Sequence, residues 1–246
     1  GANQGAVAPP HRWKFIMAEW LYECERREMG TEIGGERIPG LGYVDDVSTM
    51  TEEVSELINM KFQREVFGRK WGMEWKPAKD EYIVRGERKG AKKKEEDMRK
   101  TGMKTKKEVK VLGELIGWDP ARCPGQVQAA YKKMKGAAKT LEWMVWRGSV
   151  VDADILERLF DAIVGSLAAA HLIHTRVTKG EEKRIEAIKA GMAKRFLGVG
   201  KRASATGAMI RVGWTSVMVG VWKARLAFYW RLRTAEGLVR KILDKT

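Results

Sequence analysis

At 246 residues, with 44% hydrophobic residues and ten Trp, the chain is long enough for one large or two small domains and too apolar to be a disordered segment. Its net charge of +15 and pI ≈ 9.8 point to a polyanionic partner, nucleic acid first and an anionic membrane surface second. The only cysteines, Cys24 and Cys123, are far apart and form no CxxC, which argues against a zinc site and fits an intracellular, reducing compartment.

In chain order, residues 1–10 are small and end in Pro9-Pro10, so they read as a loop. From His11 to Met29, Trp13, Ile16, Met17, Trp20, Leu21 and Cys24 fall at helical spacing, and Gly30 can stop the helix. Thr31–Thr49 holds two short apolar pieces around Gly-Gly and Pro-Gly, the pattern of a hairpin or of two closely linked strands. A second helix is expected over Glu52–Trp71, a short strand at Glu81–Arg85, a charged and mobile excursion over Lys92–Lys107, and a strand over Val109–Ile116.

Beyond Asp119-Pro120 the pattern is helical throughout. The expected helices are Gln126–Trp146, Asp152–Thr175, Glu181–Leu197 and Ser216–Leu243, with a shorter piece over Ala203–Val212. The fold class is therefore α+β, with residues 1–120 and 121–246 as its two parts. Charge follows this division: Tyr131–Thr246 holds 23 Lys+Arg against 10 Asp+Glu. The longest apolar stretch, Leu159–Ile173, includes Asp161 and is too short to span a bilayer, and no signal peptide is legible. The sequence opens without Met, and Gly1 reads as a cut or truncated start.

Tyr43-Val44-Asp45-Asp46 is the sharpest chemical feature. It lies between Leu41 and Val47 inside the expected hairpin, which puts two carboxylates at a tight turn. Adjacent carboxylates repel unless a cation is close, and hard divalent ions take oxygen ligands. In phosphoryl transfer, a pair of such ions activates the attacking hydroxyl and stabilises the leaving group. An Asp-Asp pair by itself is more often a solvated turn.

Its neighbours change that balance. Gly1-Ala2-Asn3-Gln4-Gly5 is followed by Pro9-Pro10, and Gly34-Gly35-Glu36-Arg37-Ile38 leads into Tyr43-Val44-Asp45-Asp46. Trp71-Gly72-Met73 comes next, with Pro77-Ala78-Lys79 and Glu81, and then Val111-Leu112-Gly113. In this order and at these spacings the segments resemble motifs B, C, D and E of the reverse transcriptases of non-LTR (LINE-like) retrotransposons. The resemblance continues more loosely through Arg195–Val199, Val212-Gly213-Trp214 and Trp222–Arg225. The chain departs from the motifs at Pro9, where the family has Ser, and at Val111, where it has Tyr.

The resemblance implies a partial palm, a few-stranded antiparallel sheet with helices, followed by an all-α basic thumb. Asp45 and Asp46 would be the catalytic and metal-binding pair, with Mg²⁺ as cofactor once the site is complete. Gln4, Gly5 and Tyr43 would line the nucleotide and template pocket, and Lys79 would face the nucleotide phosphates. Leu112 and Gly113 would position the primer. A further palm aspartate and the fingers lie upstream of motif B in the family. The expectation is thus a C-terminal part of an RNA-directed DNA polymerase that grips RNA and DNA as template–primer and does not polymerise alone. The partner would be an upstream polymerase half. The alternative is a non-catalytic RNA-binding or structural subunit recruited into a ribonucleoprotein, in the nucleus or another nucleic-acid-containing compartment.

Other features have plainer readings. Most of the ten Trp are expected in the core; Trp214, beside Gly213 and past a helix end, is the one expected to meet nucleic acid. Arg225, Arg231 and Arg233 stand among Leu226, Phe228, Tyr229, Trp230 and Leu232, a basic amphipathic helix suited to a phosphate backbone or a membrane surface. The interleaved acids Glu95, Glu96 and Asp97 make the Lys92–Lys94 run a solvated segment more than a phosphate track. His171 and His174 form an HxxH with no third ligand nearby in sequence and read as polar positions on an apolar helix.

Overall fold

The computed structural model describes residues 8–43, 46–86, 88–119, 121–148, 152–237 and 239–240. It is mixed α and β, and it divides into two compact units. One contains the chain up to Gly113 together with the residues from Arg233 onward, and the other runs from Glu114 to Leu232.

The first unit opens with α1 (Ala8–Arg26), then β1 (Thr31–Ile33), β2 (Glu36–Ile38), β3 (Gly40–Tyr43) and β4 (Asp46–Thr49). The expected hairpin is in fact two. β1 and β2 pair antiparallel around Gly34-Gly35, both at positive φ, and β3 and β4 pair from Gly40↔Thr49 to Tyr43↔Asp46. Gly30 ends the α1 connection at φ +128; a Cβ there would lie 2.5 Å from the Ile38 carbonyl carbon, so only glycine allows this approach. Its N–H donates to Glu56 Oε1 at 2.6 Å in α2 (Val54–Lys70). Trp20 and Cys24 of α1 pack with Met60 and Phe67 of α2 to form the core of this unit.

Two expectations change further along. Glu81–Arg85 forms no strand, only an isolated bridge from Tyr82 to Thr105. The segment read as a mobile excursion, Lys92–Lys107, begins inside a helix, α3 (Arg88–Lys100). Lys100 lies 3.5 Å from both Glu96 and Asp97, and Met98 is buried with Val84 and Met103, so the helix has both local ion pairs and a packed side. Residues 1–10, expected as a loop, also contribute the start of α1 at Ala8, with Pro9 and Pro10 in its first turn, where proline is tolerated.

β5 (Glu108–Val111) and β6 (Glu114–Gly117) follow in place of a single strand, and the unit boundary falls in the turn between them rather than near Pro120–Pro124. The reason lies in β6. Leu115 N–H donates to Gln126 Oε1 at 2.9 Å, and Glu114 accepts from Gln126 and lies 2.8 Å from His171 Nδ1, which fastens β6 to the helices.

Those helices are α4 (Pro124–Gly148), α5 (Ala153–Phe160), α6 (Ser166–Leu172), α7 (Lys179–Phe196), α8 (Ala205–Val212) and α9 (Val217–Arg233). A π-helical turn, Asp161–Gly165, joins α5 to α6. Met134, Leu141, Phe160, Leu172, Ile185 and Val221 are among the side chains that close the core of this unit. α7 starts on a capping box in which Thr178 and Glu181 satisfy each other's backbone N–H. α9 ends at Arg233, well short of the expected Leu243. Among the described helices none is long and apolar enough to cross a membrane.

The tryptophans also differ from expectation. Trp20 and Trp214 are buried, whereas Trp71, Trp118, Trp143, Trp146, Trp222 and Trp230 are exposed.

Candidate functional site

Gln4, Gly5 and Asp45 lie outside the described residues. What is described of the acidic segment is its frame. Tyr43 stands opposite Asp46 at the end of the β3–β4 ladder, and just two residues connect them. Such a two-residue connection is the shortest common hairpin link. Tyr43 is 62% exposed and Asp46 is exposed as well. The other side of β3 rests on α1, where a Cβ added to Gly42 would lie 3.5 Å from Leu21 and 3.6 Å from Met17.

A magnesium pair needs several oxygen ligands converging on one point. Among the described residues no group of three or more acids, histidines or cysteines converges in this way. Asp46 therefore does not meet the fit on its own, and no step through a metal follows from the described residues.

Lys79 ends a single 3₁₀ turn, Pro77–Lys79, and is exposed. The turn is held from its next residue: Asp80 takes a two-pronged ion pair from Arg64 of α2, with Nη2 at 2.6 Å and Nη1 at 3.1 Å. The Arg64 guanidinium also stacks over Trp75, 4.9 Å from the ring centroid. Tyr82 donates to the same carboxylate at 3.2 Å; burial first, and the Asp80 charge second, push its phenol up to about 12. The Arg64–Asp80 clamp was not foreseen, and sixteen residues of separation gave no periodic signal for it.

Leu112 and Gly113 form the turn between β5 and β6, at φ 50 and φ 87. Positive φ at both central positions is the backbone of a type I′ hairpin, which ordinarily takes Asn-Gly. Leucine is strained there, and its side chain is 58% exposed, so neither local conformation nor burial accounts for it.

Of the residues expected to meet nucleic acid, Trp214 requires a correction. It is 6% exposed, its Nε1–H donates to the Ala153 carbonyl at 3.0 Å, and its ring lies 6.5 Å from that of Phe196. A ring in that position has no face to offer a base; Trp214 is a core residue. Arg225 is also committed to the fold. Its Nη2 donates to the carbonyls of Leu172 at 2.8 Å and Thr175 at 2.5 Å, and it lies 4.7 Å from the Trp222 ring centroid. Burial pulls its guanidinium below the ordinary value. Arg231 and Arg233 are exposed on the last turns of α9, and Arg231 Nε donates to the Ala227 carbonyl at 3.4 Å.

The HxxH pair separates into two environments. His171 joins Glu114, Gln126 and Lys133, the last 3.0 Å from its Nε2, while His174 meets Phe228 edge-on at 4.7 Å. Both cysteines are buried and neither is in a disulfide; burial pushes the Cys24 thiol up to about 12. In comparisons with family models, curated proteins and solved structures, no match to this chain was found.

Proposed function

We propose that the chain is the C-terminal part of a reverse-transcriptase core, comprising the later palm motifs and a basic thumb that grips template–primer. The observation that carries this reading is the β3–β4 register, with Tyr43 opposite Asp46 and the Val44-Asp45 link between them. It supports the motif order from which the reading began, because an acidic turn of that family sits at the end of such a hairpin. Strained, exposed Leu112 beside Gly113 supports the primer-positioning role in the same way.

These 246 residues hold the Asp45–Asp46 pair and not the additional aspartate that the resemblance implies. Ligand number sets metal affinity, so turnover requires that residue from a longer chain or from a second one. Mg²⁺ belongs to the reading only with that addition. The setting would be an intracellular compartment that holds nucleic acid.

The test uses the purified chain and a template–primer with a recessed 3′ end. Binding that weakens steeply as salt rises is expected, since several phosphates are neutralised. Primer extension by this chain alone, abolished by Asp45→Ala, overturns the claim of incompleteness, and failure to hold the recessed duplex overturns the polymerase reading. If Asp45→Ala leaves the function of a complete assembly untouched, the recruited RNA-binding subunit takes its place.

A further inference from the structure

The outer face of α4 combines lysines and tryptophans in one line. Lys132, Lys135, Lys139, Trp143 and Trp146 follow one another at steps of three or four residues, the spacing that stacks side chains on one helix face. All five are exposed, the two rings by 59% and 50%. At a rise of 1.5 Å per residue, the line from Lys132 to Trp146 is about 21 Å long.

The opposite face of the helix is core: Met134, Ala138, Leu141 and Val145 are all buried. The exposed line thus lies on the side of the helix away from that core. Lys133, one step round the helix, turns aside to His171, and Glu142 is paired with Arg195. Among the described residues, Lys132, Lys135 and Lys139 have no carboxylate within ion-pair distance. Gly136 lies within the line and has nothing within 4 Å of where its Cβ would be, so packing does not call for glycine there. Its absent side chain leaves a flat spot where a ligand backbone can come close.

We infer that this face of α4 is a docking ridge for single-stranded nucleic acid. Lys132, Lys135 and Lys139 take successive phosphates, and Trp143 and Trp146 stack on unpaired bases at the far end. A polyanion matches three unpaired cations, and exposed indole rings match bases that are not already stacked in a duplex. The inference goes beyond the polymerase reading and shares with it only the polyanionic partner. The probe below is a single strand alone: its failure with the recessed duplex still held sinks this inference alone, and a recessed duplex held no more tightly than that strand sinks the polymerase reading alone.

The experiment measures fluorescence anisotropy of an end-labelled oligo(dT) single strand with the full chain across a salt series. Two variants act on the ridge: Lys132→Gln/Lys135→Gln/Lys139→Gln and Trp143→Ala/Trp146→Ala. A third, Lys92→Gln/Lys93→Gln/Lys104→Gln, removes equal charge from exposed positions in the other unit. The expected result for the ridge lysine variant is a salt slope shallower by about 2, since each single-strand phosphate contact contributes roughly 0.7. The tryptophan variant should lose at least about tenfold in affinity with its slope retained, because stacking is not ionic. Trp143→Phe/Trp146→Phe keeps aromatic faces and should recover most of that loss. Ridge and control lysine variants that bind alike overturn the inference. So does unchanged binding by the alanine variant, or an oligo(dT) held no more tightly than the matching duplex.

Discussion

Lys189 Nζ lies 2.8 Å from Glu157 Oε1, and no part of the lysine side chain reaches solvent. The same ammonium donates to Asp161 Oδ1 at 2.8 Å and lies 5.4 Å from the Phe160 ring centroid. Glu157 in turn accepts from the Thr215 N–H at 2.7 Å, so one charged network ties α5, α7 and the start of α9. A buried ammonium is tolerated only because two carboxylates surround it. Lys189→Ala is expected to destabilise the helical unit by about 3 kcal/mol, since Glu157 is left with no cation and a cavity opens. Urea denaturation followed by Trp fluorescence checks this, and a change within about 0.5 kcal/mol would show the network to be dispensable.

Acid should unravel the same unit through identifiable carboxylates. Burial would raise the Glu157 carboxyl, but the hydrogen bonds from Lys189 and Thr215 outweigh it and hold the group below the usual carboxylate range. At Glu181 burial again pushes the carboxyl up, and the hydrogen bonds it accepts from Thr178, together with the nearby Arg122 guanidinium, outweigh it and hold the group below the usual range. Groups with a depressed folded value contribute stability that is complete above the unfolded value and is lost as pH falls through the folded one. The urea midpoint should therefore hold steady down to about pH 5 and fall below it. In Glu157→Gln the acid limb should be shallower than in the parent chain.

α4 and α7 follow their apolar periodicity to within a few residues, while the capping box of Thr178 and Glu181 that starts α7 was not among the expectations. α3 was not legible, because among its described side chains the one buried anchor is Met98, and the partners Val84 and Met103 come from flanking segments without helical period. Trp214 misled for a related reason. Gly213, at φ +73, ends α8 as expected, but what buries the indole is Ala153, sixty-one residues away, and Phe196. The acidic hairpin lies inside the segment read as strands from its Gly-Gly and Pro-Gly signals, but those signals mark the β1–β2 turn and the entry to β3, and the β3–β4 register was not among the expectations. Exposure of Trp143 and Trp146 could not be read, since amphipathic spacing identifies two faces and does not say which one meets the core.

Trp214→Phe separates packing from binding. A phenyl ring only partly fills the site and the hydrogen bond to Ala153 is lost, so stability should fall by about 2 kcal/mol. Affinity for single-stranded or duplex nucleic acid should stay within about twofold, as expected for a side chain without an exposed face. A tenfold loss of affinity at unchanged stability would restore the contact role that its position in the core removes.

Arg225→Lys tests a clamp that charge alone would disguise. Both bonds leave one guanidinium nitrogen, Nη2, for the carbonyls at the end of α6 and in the loop after it, and a lysine, shorter and with a compact ammonium, cannot also lie over Trp222. The substitution keeps the charge and should still cost about 1–2 kcal/mol, through carbonyls left poorly satisfied. The salt slope for oligonucleotide binding should be unchanged. A slope that shifts by about one contact in Arg225→Ala would instead make this arginine a phosphate ligand.

Leu112 gives the sharpest separation of stability from function. At φ 50 in the first central position of a type I′ turn, asparagine is preferred and leucine is strained. Leu112→Asn should therefore stabilise the β5–β6 turn by about 0.5–1 kcal/mol, and Leu112→Val, β-branched at positive φ, should destabilise it. Under the primer-positioning role proposed for this turn, the exposed leucine side chain is what meets the primer. Template–primer affinity should accordingly fall in Leu112→Asn even as the urea midpoint rises. If affinity and stability rise together, the leucine serves no contact, and the primer-positioning role proposed for this turn fails with it.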